Sequence, residues 1–424
     1  MPIYAFAIAG LTPVYTTHDL ARAGVTGTLP AYEPWLKTPA GAGQSIDVVN
    51  GTSSIGDLTV EVLDPSGAVL ALIGTSDPPL EGQAITLLVG YPGTSWADFA
   101  VLQSYLIYKI VPSDGYTSYL FTCRDAQLLQ KKTIYTHPEN GDVLSSSNPW
   151  YLCGTPAEIM QAVSLFALGL AADQVDLATL QMLDSPAENI FCNWRPFQFA
   201  LTSSFEAKQF LETSVYKASG LYPVVTPAGQ LSLRSMRPPA AGPVPVFTFT
   251  EDNLVALPKW DRQPVINEAV WQFDYDGSSY QNYETFAQAT SLSYYDQGQQ
   301  FSIQSQGLRT ELGAFAFTEW VTSRLFQRFC GVAPGIRGGA PLLTLRAMLM
   351  TLPVWVGDYV ALTHPLMPDL TTGVKGVTGR VYEVVDRQPD YAKGQMQYKL
   401  LDTGLTGMGA APVWGTATVG ATIY

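Results

Sequence analysis

The stretch VWVGDYVALTH, Val354 to His364, sets an aspartate and a histidine beside a glycine in an otherwise apolar run. Read as chemistry, it is a catalytic loop; read as architecture, it is the start of a barrel strand. In an extended strand, positions six apart share a face but lie roughly 20 Å from each other. Asp358 and His364 therefore cannot form a hydrogen-bonded pair within one strand. Gly357-Asp358 reads as the turn entering a strand, Val360 and Leu362 as its core contacts, and His364-Pro365 as its exit.

The same grammar of short strands and turns runs outward from this point. After a helix-like segment come PLLTLRAMLM, VGDYVALTH, GRVYEVVDRQPD and GQMQYKLLDTG, spacing that suits a small barrel. The N-terminal third repeats the pattern. Ile3, Ala5 and Ala7 alternate with Tyr4, Phe6 and Ile8, and Leu58, Val60 and Val62 mark another strand. Turns are expected at Asn50-Gly51, Asp64-Pro65-Ser66-Gly67, Tyr91-Pro92-Gly93 and Ser113-Asp114-Gly115.

The middle of the chain differs. GTPAEIMQAVSLFALGL predicts a helix with Thr155 as its cap, Pro156 at its first position and Glu158 completing a capping box. Its apolar stripe is Ile159, Ala162, Val163, Phe166 and Leu170. A second helix is expected in SSFEAKQFLETSVYKASG, with Ser203 and Glu206 at capping-box spacing and Gly220 as its stop. LYPVVTPAGQLSLRSM then reads as a hairpin turning at Pro227-Ala228-Gly229, and RPPAAGPVPV as a linker. A third helix is expected in ELGAFAFTEWVTSRLFQRFCG, with Phe317, Trp320, Val321, Arg324, Leu325 and Phe329 as its stripe, Gly331 as its stop and Pro334 beyond.

These readings predict an α+β, mainly β chain. A β-barrel or sandwich is expected over 1–122 and an α+β middle domain over 123–240. A β-barrel with one helix is expected over 241–404 and an extended tail over 405–424. Val413, Trp414 and Tyr424 are possible anchors in that tail.

Composition narrows the function. Of 424 residues only 14% are charged, while Tyr (22) and Trp (9) are plentiful, as in surfaces covered by partners. The net charge of −13 repels nucleic-acid phosphates, and no basic run exceeds Lys131-Lys132, so sequence-specific nucleic-acid binding is not expected. The N-terminal stretch lacks a basic n-region and no apolar run reaches the roughly 20 residues of a membrane span, so a soluble chain made in a cytoplasm is expected.

Local catalytic motifs are missing from the sequence. Histidine occurs only at 18, 137 and 364, and neither H-E-x-x-H, G-x-S-x-G nor a phosphate-binding glycine loop is present. Paired carboxylates remain conceivable, for example among Glu268, Asp274 and Asp276, although a strand ending in an Asp-Gly turn explains these residues as well. Cys123, Cys153, Cys192 and Cys330 have no zinc-finger spacing. They are either buried small apolar residues or, converging in space, candidate ligands of an iron–sulfur cluster.

Two runs carry a family resemblance. FEAKQFLETSVYKASGLYPVVTPAGQLSLRSMRPP resembles a helix-then-hairpin segment of bacteriophage tail hub and tail-tip proteins. VGDYVALTH with TGRVYEVVDRQPDYAKGQMQYKLLDTG is similar to their last barrel, and together the likeness covers residues 200–404. The resemblance implies a homotrimeric baseplate hub in the virion. Each subunit would carry two barrels like the tail-tube domain, so that a three-fold hub meets a six-fold tube. It implies a structural protein rather than an enzyme, with the distal-tail or tail-tube protein, the tape-measure C-terminus and a central fibre or spike as partners. It also implies an acidic channel wall that DNA passes without sticking. Some tail-tip proteins of this kind hold an iron–sulfur cluster, which bears on the four cysteines. A tail-associated cell-wall hydrolase and a carbohydrate-binding receptor module are the alternatives.

Overall fold

The computed structural model describes residues 1–41, 43–183, 197–236, 245–295, 299–309, 324–333, 335–349 and 353–406. Residues 237–244, where the linker is expected, residues 310–323, where most of the third helix is expected, Pro334, Cys192 and the residues beyond Thr406 lie outside the described residues.

The N-terminal sheet is built from β1 (Ile3–Ile8), β2 (Val14–Thr16), β3 (Tyr32–Glu33), β6 (Asp57–Leu63), β7 (Ala84–Gly90), β8 (Ala100–Pro112) and β9 (Ser118–Arg124). Strands β4 (Gln44–Asp47) and β5 (Thr52–Ser53) leave it as a separate hairpin. The spatial order is β3-β2-β1-β7-β8-β9-β6. Alternation sends Tyr4, Phe6 and Ile8 inward to meet Leu58, Val60, Val62 and Phe121. The sheet does not end at free edges. Residues 32–40 pair in parallel with β2, then turn so that Leu36 bridges Val62 and Ala40 bridges Thr59 on β6. The Leu36 amide meanwhile donates to Thr16 of β2 (3.1 Å), so one segment closes the sheet on itself.

The C-terminal sheet follows the same plan. It contains β16 (Phe247–Phe249), β17 (Lys259–Arg262), β21 (Pro341–Met348), β22 (Tyr359–Asp369), β23 (Val374–Asp390) and β24 (Gln395–Thr406) in the order β16-β22-β23-β24-β21-β17. Here residues 247–249 pair in parallel with β22, and 253–262 then run antiparallel along β21. Val360 and Leu362 are fully buried, as the opening stretch predicts, and Gly357 takes φ +88°, the left-handed turn that glycine favours. The strand does not stop at His364-Pro365. It continues to Asp369 through two register shifts, because bulges let the chain absorb Pro365 and keep pairing with β23. The apolar faces of both sheets merge into one cluster, from Tyr4 and Phe121 to Val384 and Tyr398.

A second large cluster holds the middle of the chain together with a three-stranded sheet, β18 (Ile266–Tyr275), β19 (Tyr280–Ala287) and β20 (Gln299–Gln304). The Thr155–Glu158 capping box forms as read, but its helix is α-helical only over Pro156–Gln161 and continues as a π-turn over Ala162–Ala167. The wider turn rotates the expected stripe, so Ile159 and Val163 are buried while Phe166 is 71% exposed. The second helix begins at Ala207, not after Ser203. Phe205–Glu206 pairs instead with Thr133–Ile134, and that strand pairing takes the backbone the capping box needed. Gly220 stops this helix in the left-handed conformation, and the hairpin Leu221–Val225 with Leu231–Ser235 turns at Gly229 as expected. Three short helices escaped the pattern reading: Ala68–Thr75, Leu177–Leu183 and Ala289–Tyr294. Ala68–Thr75 follows the Asp64–Gly67 turn, held by the Asp64 carboxylate, which accepts from the amides of Val69 and Leu70 at 3.0 Å.

Candidate functional site

The two barrels and the middle meet at a junction crossed by backbone pairing and side-chain bonds. The β4–β5 segment crosses it as a strap. Ser45 and Gln44 pair with Asp386 and Arg387 of β23, so a strand from the N-terminal third extends the C-terminal sheet. Gly43 is required there: a Cβ on it would stand 1.6 Å from the Arg387 carbonyl oxygen.

The strap is pinned from the other side by Asp125, which follows β9. Its carboxylate accepts from the Gly56 amide (2.6 Å), the Gln44 side chain (3.0 Å) and the Gln127 amide (3.0 Å). Burial pushes this carboxyl up to about 6 in spite of those three donors. Farther along, Ser53 donates its hydroxyl to Gln127 (2.5 Å) and its amide to Glu212 (3.1 Å). Lys208 pairs with Glu212 and donates to the Ser53 carbonyl (3.0 Å). Ser53, Lys208 and Glu212 line a cleft of about 570 Å³ with Arg124, Lys131 and Glu206, where both signs of charge meet.

Two further contacts lock the barrels. The Tyr4 hydroxyl donates to the Tyr391 carbonyl (2.8 Å) while the two rings meet edge to face. The fully buried Glu383 of β23 receives Arg328 from the short helix Phe326–Phe329 and the hydroxyl of Tyr222 from the hairpin Leu221–Val225 with Leu231–Ser235. Arg380 and Asp402 form a bidentate pair inside the second barrel, with contacts of 2.9–3.3 Å. Sequence reading did not find this junction, because the bonds that tie its parts together, from Tyr4 to Tyr391 and from Tyr222 and Arg328 to Glu383, join residues far apart in the chain; a local signal was the glycine density around residues 41–56.

The residues that sequence reading singled out fall elsewhere. Asp358 accepts from the Trp355 amide (2.8 Å) and shapes its turn; burial raises its carboxyl. His364 is buried and accepts through Nδ1 from the Leu366 amide (3.2 Å), two residues on. Asp276 caps the β18–β19 turn by accepting from Ser278 (2.8 Å) and Ser279 (2.9 Å), while Glu268 lies along β18 and Asp274, at φ +54°, precedes that turn. Cys123 is buried in the cluster shared by the barrels, its thiol pushed up to about 12 by burial. Cys330 lies in the middle cluster, also raised by burial, and Cys153 is exposed on the strand Trp150–Gly154. Among the described residues no three His, Cys, Asp or Glu side chains come together as metal ligands, and no helix is long and apolar enough to cross a membrane.

Apolar side chains are exposed in several places. Tyr116, at φ +57° on the tip of the β8–β9 hairpin, is 77% exposed, and Leu63 and Leu70 lie near it around Asp64, whose amide donates to the Thr117 carbonyl (2.9 Å).

The fold and junction define a mainly β protein of two closed sheets fixed on a helix-containing middle. No family model matches the chain, and no curated protein matches it in sequence. Among solved structures it is similar to phage tail proteins. One is a tail protein from Neisseria meningitidis MC58, at 11% identity and a TM-score of 0.47 over 95% of this chain and 97% of that one. Another is the 43 kDa tail protein of prophage MuSo2 from Shewanella oneidensis, at 12% identity and 0.48 over 95% and 99%. A third is a prophage tail protein from Listeria monocytogenes EGD-e, at 8% identity and 0.44 over 95% and 94%.

Proposed function

We propose that this chain is a structural subunit of a phage tail, placed at the tail tip as a baseplate hub. In this reading it assembles as a homotrimer in the host cytoplasm and joins the tail tube or distal-tail ring to a central fibre or spike. The observation that carries the reading is the pair of closed sheets locked in fixed relation by the strap, by Tyr4–Tyr391 and by Glu383. A part that transmits a ring's geometry needs that rigidity, and two barrels per subunit place six in a trimer. The net charge of −13 suits a wall along which DNA slides without adhering. The exposed Tyr116 and Leu70 supply apolar contacts for neighbouring subunits.

Native mass spectrometry and sedimentation of the purified chain test the assembly, and antibody labelling of virions tests the position. Trimers in solution and label at the tail tip are expected. A chain that stays monomeric at high concentration and is missing from virions sinks the proposal.

A further inference from the structure

The three-stranded sheet of the middle ends on one side at β19. Its bonding pattern fixes which way this strand faces. The Gln288 amide donates to the Asn267 carbonyl (2.9 Å), and the Asp274 amide donates the opposite way, to the Leu308 carbonyl beyond β20 (3.1 Å). Odd-numbered residues of β18 therefore bond towards β19 and even-numbered ones towards β20. Ala269, Trp271 and Phe273 stand opposite Phe286, Glu284 and Asn282. That leaves the amides and carbonyls of Gln281, Tyr283, Thr285 and Ala287 pointing away from the sheet. Among the described residues no backbone group pairs with them.

A sheet edge is usually blunted by a proline, a lysine, a bulge or a very short strand. β19 has none of these. It runs for 8 residues, holds neither proline nor lysine, and pairs with β18 without a register shift. None of its residues is buried, and Tyr283 near its centre is 74% exposed, so the strand stands out from the core. The charge around it has one sign. From Gln263 to Leu308 the chain holds Glu268, Asp274, Asp276, Glu284 and Asp296 and neither lysine nor arginine. Lys217 and Arg309 reach the sheet from outside this run, at the Phe301 ring (4.9 Å) and the Tyr275 carbonyl (2.8 Å), and neither contact is on β19. A second copy would bring the same acidic strand and a net charge of −13, so like charges oppose its addition here. A strand that carries lysine or arginine is favoured instead.

We propose that β19 is a docking edge, and that its partner is an extended, lysine- or arginine-bearing segment of another protein that adds to the sheet as a fourth strand. Main-chain bonds to Gln281, Tyr283, Thr285 and Ala287 supply the affinity. Glu284 on the strand, with Asp274 and Asp276 at its turn, selects the charge, and the exposed Tyr283 ring covers the aliphatic stem of an incoming cation.

Hydrogen exchange of the full chain with two capped synthetic peptides tests this. Both alternate threonine and valine; one has lysine at its two ends and the other glutamate. The lysine peptide should slow exchange at Gln281, Tyr283 and Thr285 severalfold, and the glutamate peptide should not. Thr285→Pro removes an outward amide and no bond to β18, so the fold is kept and the lysine peptide should bind about tenfold more weakly, read from the concentration that gives half protection. Tyr283→Lys, at an exposed position, sets a like charge on the edge and should also weaken that peptide, with β21 exchange unchanged as the control for folding. Exchange that responds equally to both peptides, or to neither, overturns the proposal, as does unchanged binding to the Thr285→Pro variant. So does protection of these amides in the dilute chain alone, because residues of the same chain then cover the edge. Protection that grows with the chain's own concentration overturns it too, and assigns the edge to a second copy.

Discussion

The two barrels are closed by the same device and anchored by different ones. In each, one segment pairs in parallel with one edge, turns, and runs antiparallel along the other: 32–40 in the first barrel, 247–262 in the second. Yet the first barrel is tied to the rest through a carboxylate that accepts neutral donors, Asp125, and the second through a buried ion pair, Glu383 with Arg328. Closure solves a problem common to any sheet with two edges, so its solution recurs. Anchorage answers to the particular neighbour each barrel meets, and the chemistry there is free to differ.

The largest expected effect comes from breaking the ionic anchor. Glu383→Ala leaves the Arg328 guanidinium buried without its carboxylate, and two of its nitrogens already lack a partner. A loss of about 3–5 kcal/mol is expected, read from the denaturant midpoint. Replacing both partners, Arg328→Met with Glu383→Leu, should recover most of it. If the double variant is as unstable as the single one, the pair is not what anchors the second barrel.

Closure is tested by truncating one residue in each closing segment. Leu36 is buried between β2 and β6, so Leu36→Ala should cost about 2–4 kcal/mol. Leu254, at the matching place on β21, is only partly buried, so Leu254→Ala should cost on the order of 1 kcal/mol. Equal losses, compared by thermal melting, would mean that the two closures carry equal weight.

The neutral-donor anchor predicts a pH dependence of definite sign. Asp125 titrates near 6 in the folded chain, above its ordinary value of 3.8, so the folded state holds a proton that the unfolded state has released between those values. Stability therefore rises as pH falls from above 6 towards 4, by on the order of 2–3 kcal/mol. Asp125→Asn removes the titrating group and should remove this contribution, although its single oxygen can replace only one of the two that accept from Gln127 and from Gly56 with Gln44. An unchanged pH profile in the variant would assign the dependence to other groups.

How much of this was legible in the sequence follows from the range of the interactions. Leu58, Val60 and Val62, the Thr155–Glu158 box, Gly220, Gly229 and the Gly357-Asp358 turn all act within a few residues, and each was readable as a pattern. The helix Ala68–Thr75 was not, because it is apolar on every side and shows no stripe for a period to reveal. The run of β22 through Pro365 was hidden because the bulges that permit it belong to the pairing with β23. The junction was hidden altogether: Asp125, Glu383 and Arg387 look like ordinary charges on or beside strands until distant partners, such as Tyr222 for Glu383 and Gln44 for Arg387, are brought to them.

The most local probe of the link between the barrels also has a small expected effect. The strap touches β23 through Gly43, whose missing side chain lets the backbone approach the Arg387 carbonyl. Gly43→Ala sets a methyl group against that oxygen, and the strap must retreat by enough to weaken the pairing of Ser45 with Asp386. Because residues 44–56 remain held by Asp125, Lys208 and Glu212, the retreat is confined to one end, and a loss of roughly 1–2 kcal/mol is expected. Its signature is spatial: faster amide exchange at Gln44 and Arg387, which pair across the strap and β23, with Val60 and Leu345 in the two barrel cores unchanged. Should the cores loosen together with the strap, the barrels share one cooperative unit. The strap is then a consequence of their packing and not a separate tie.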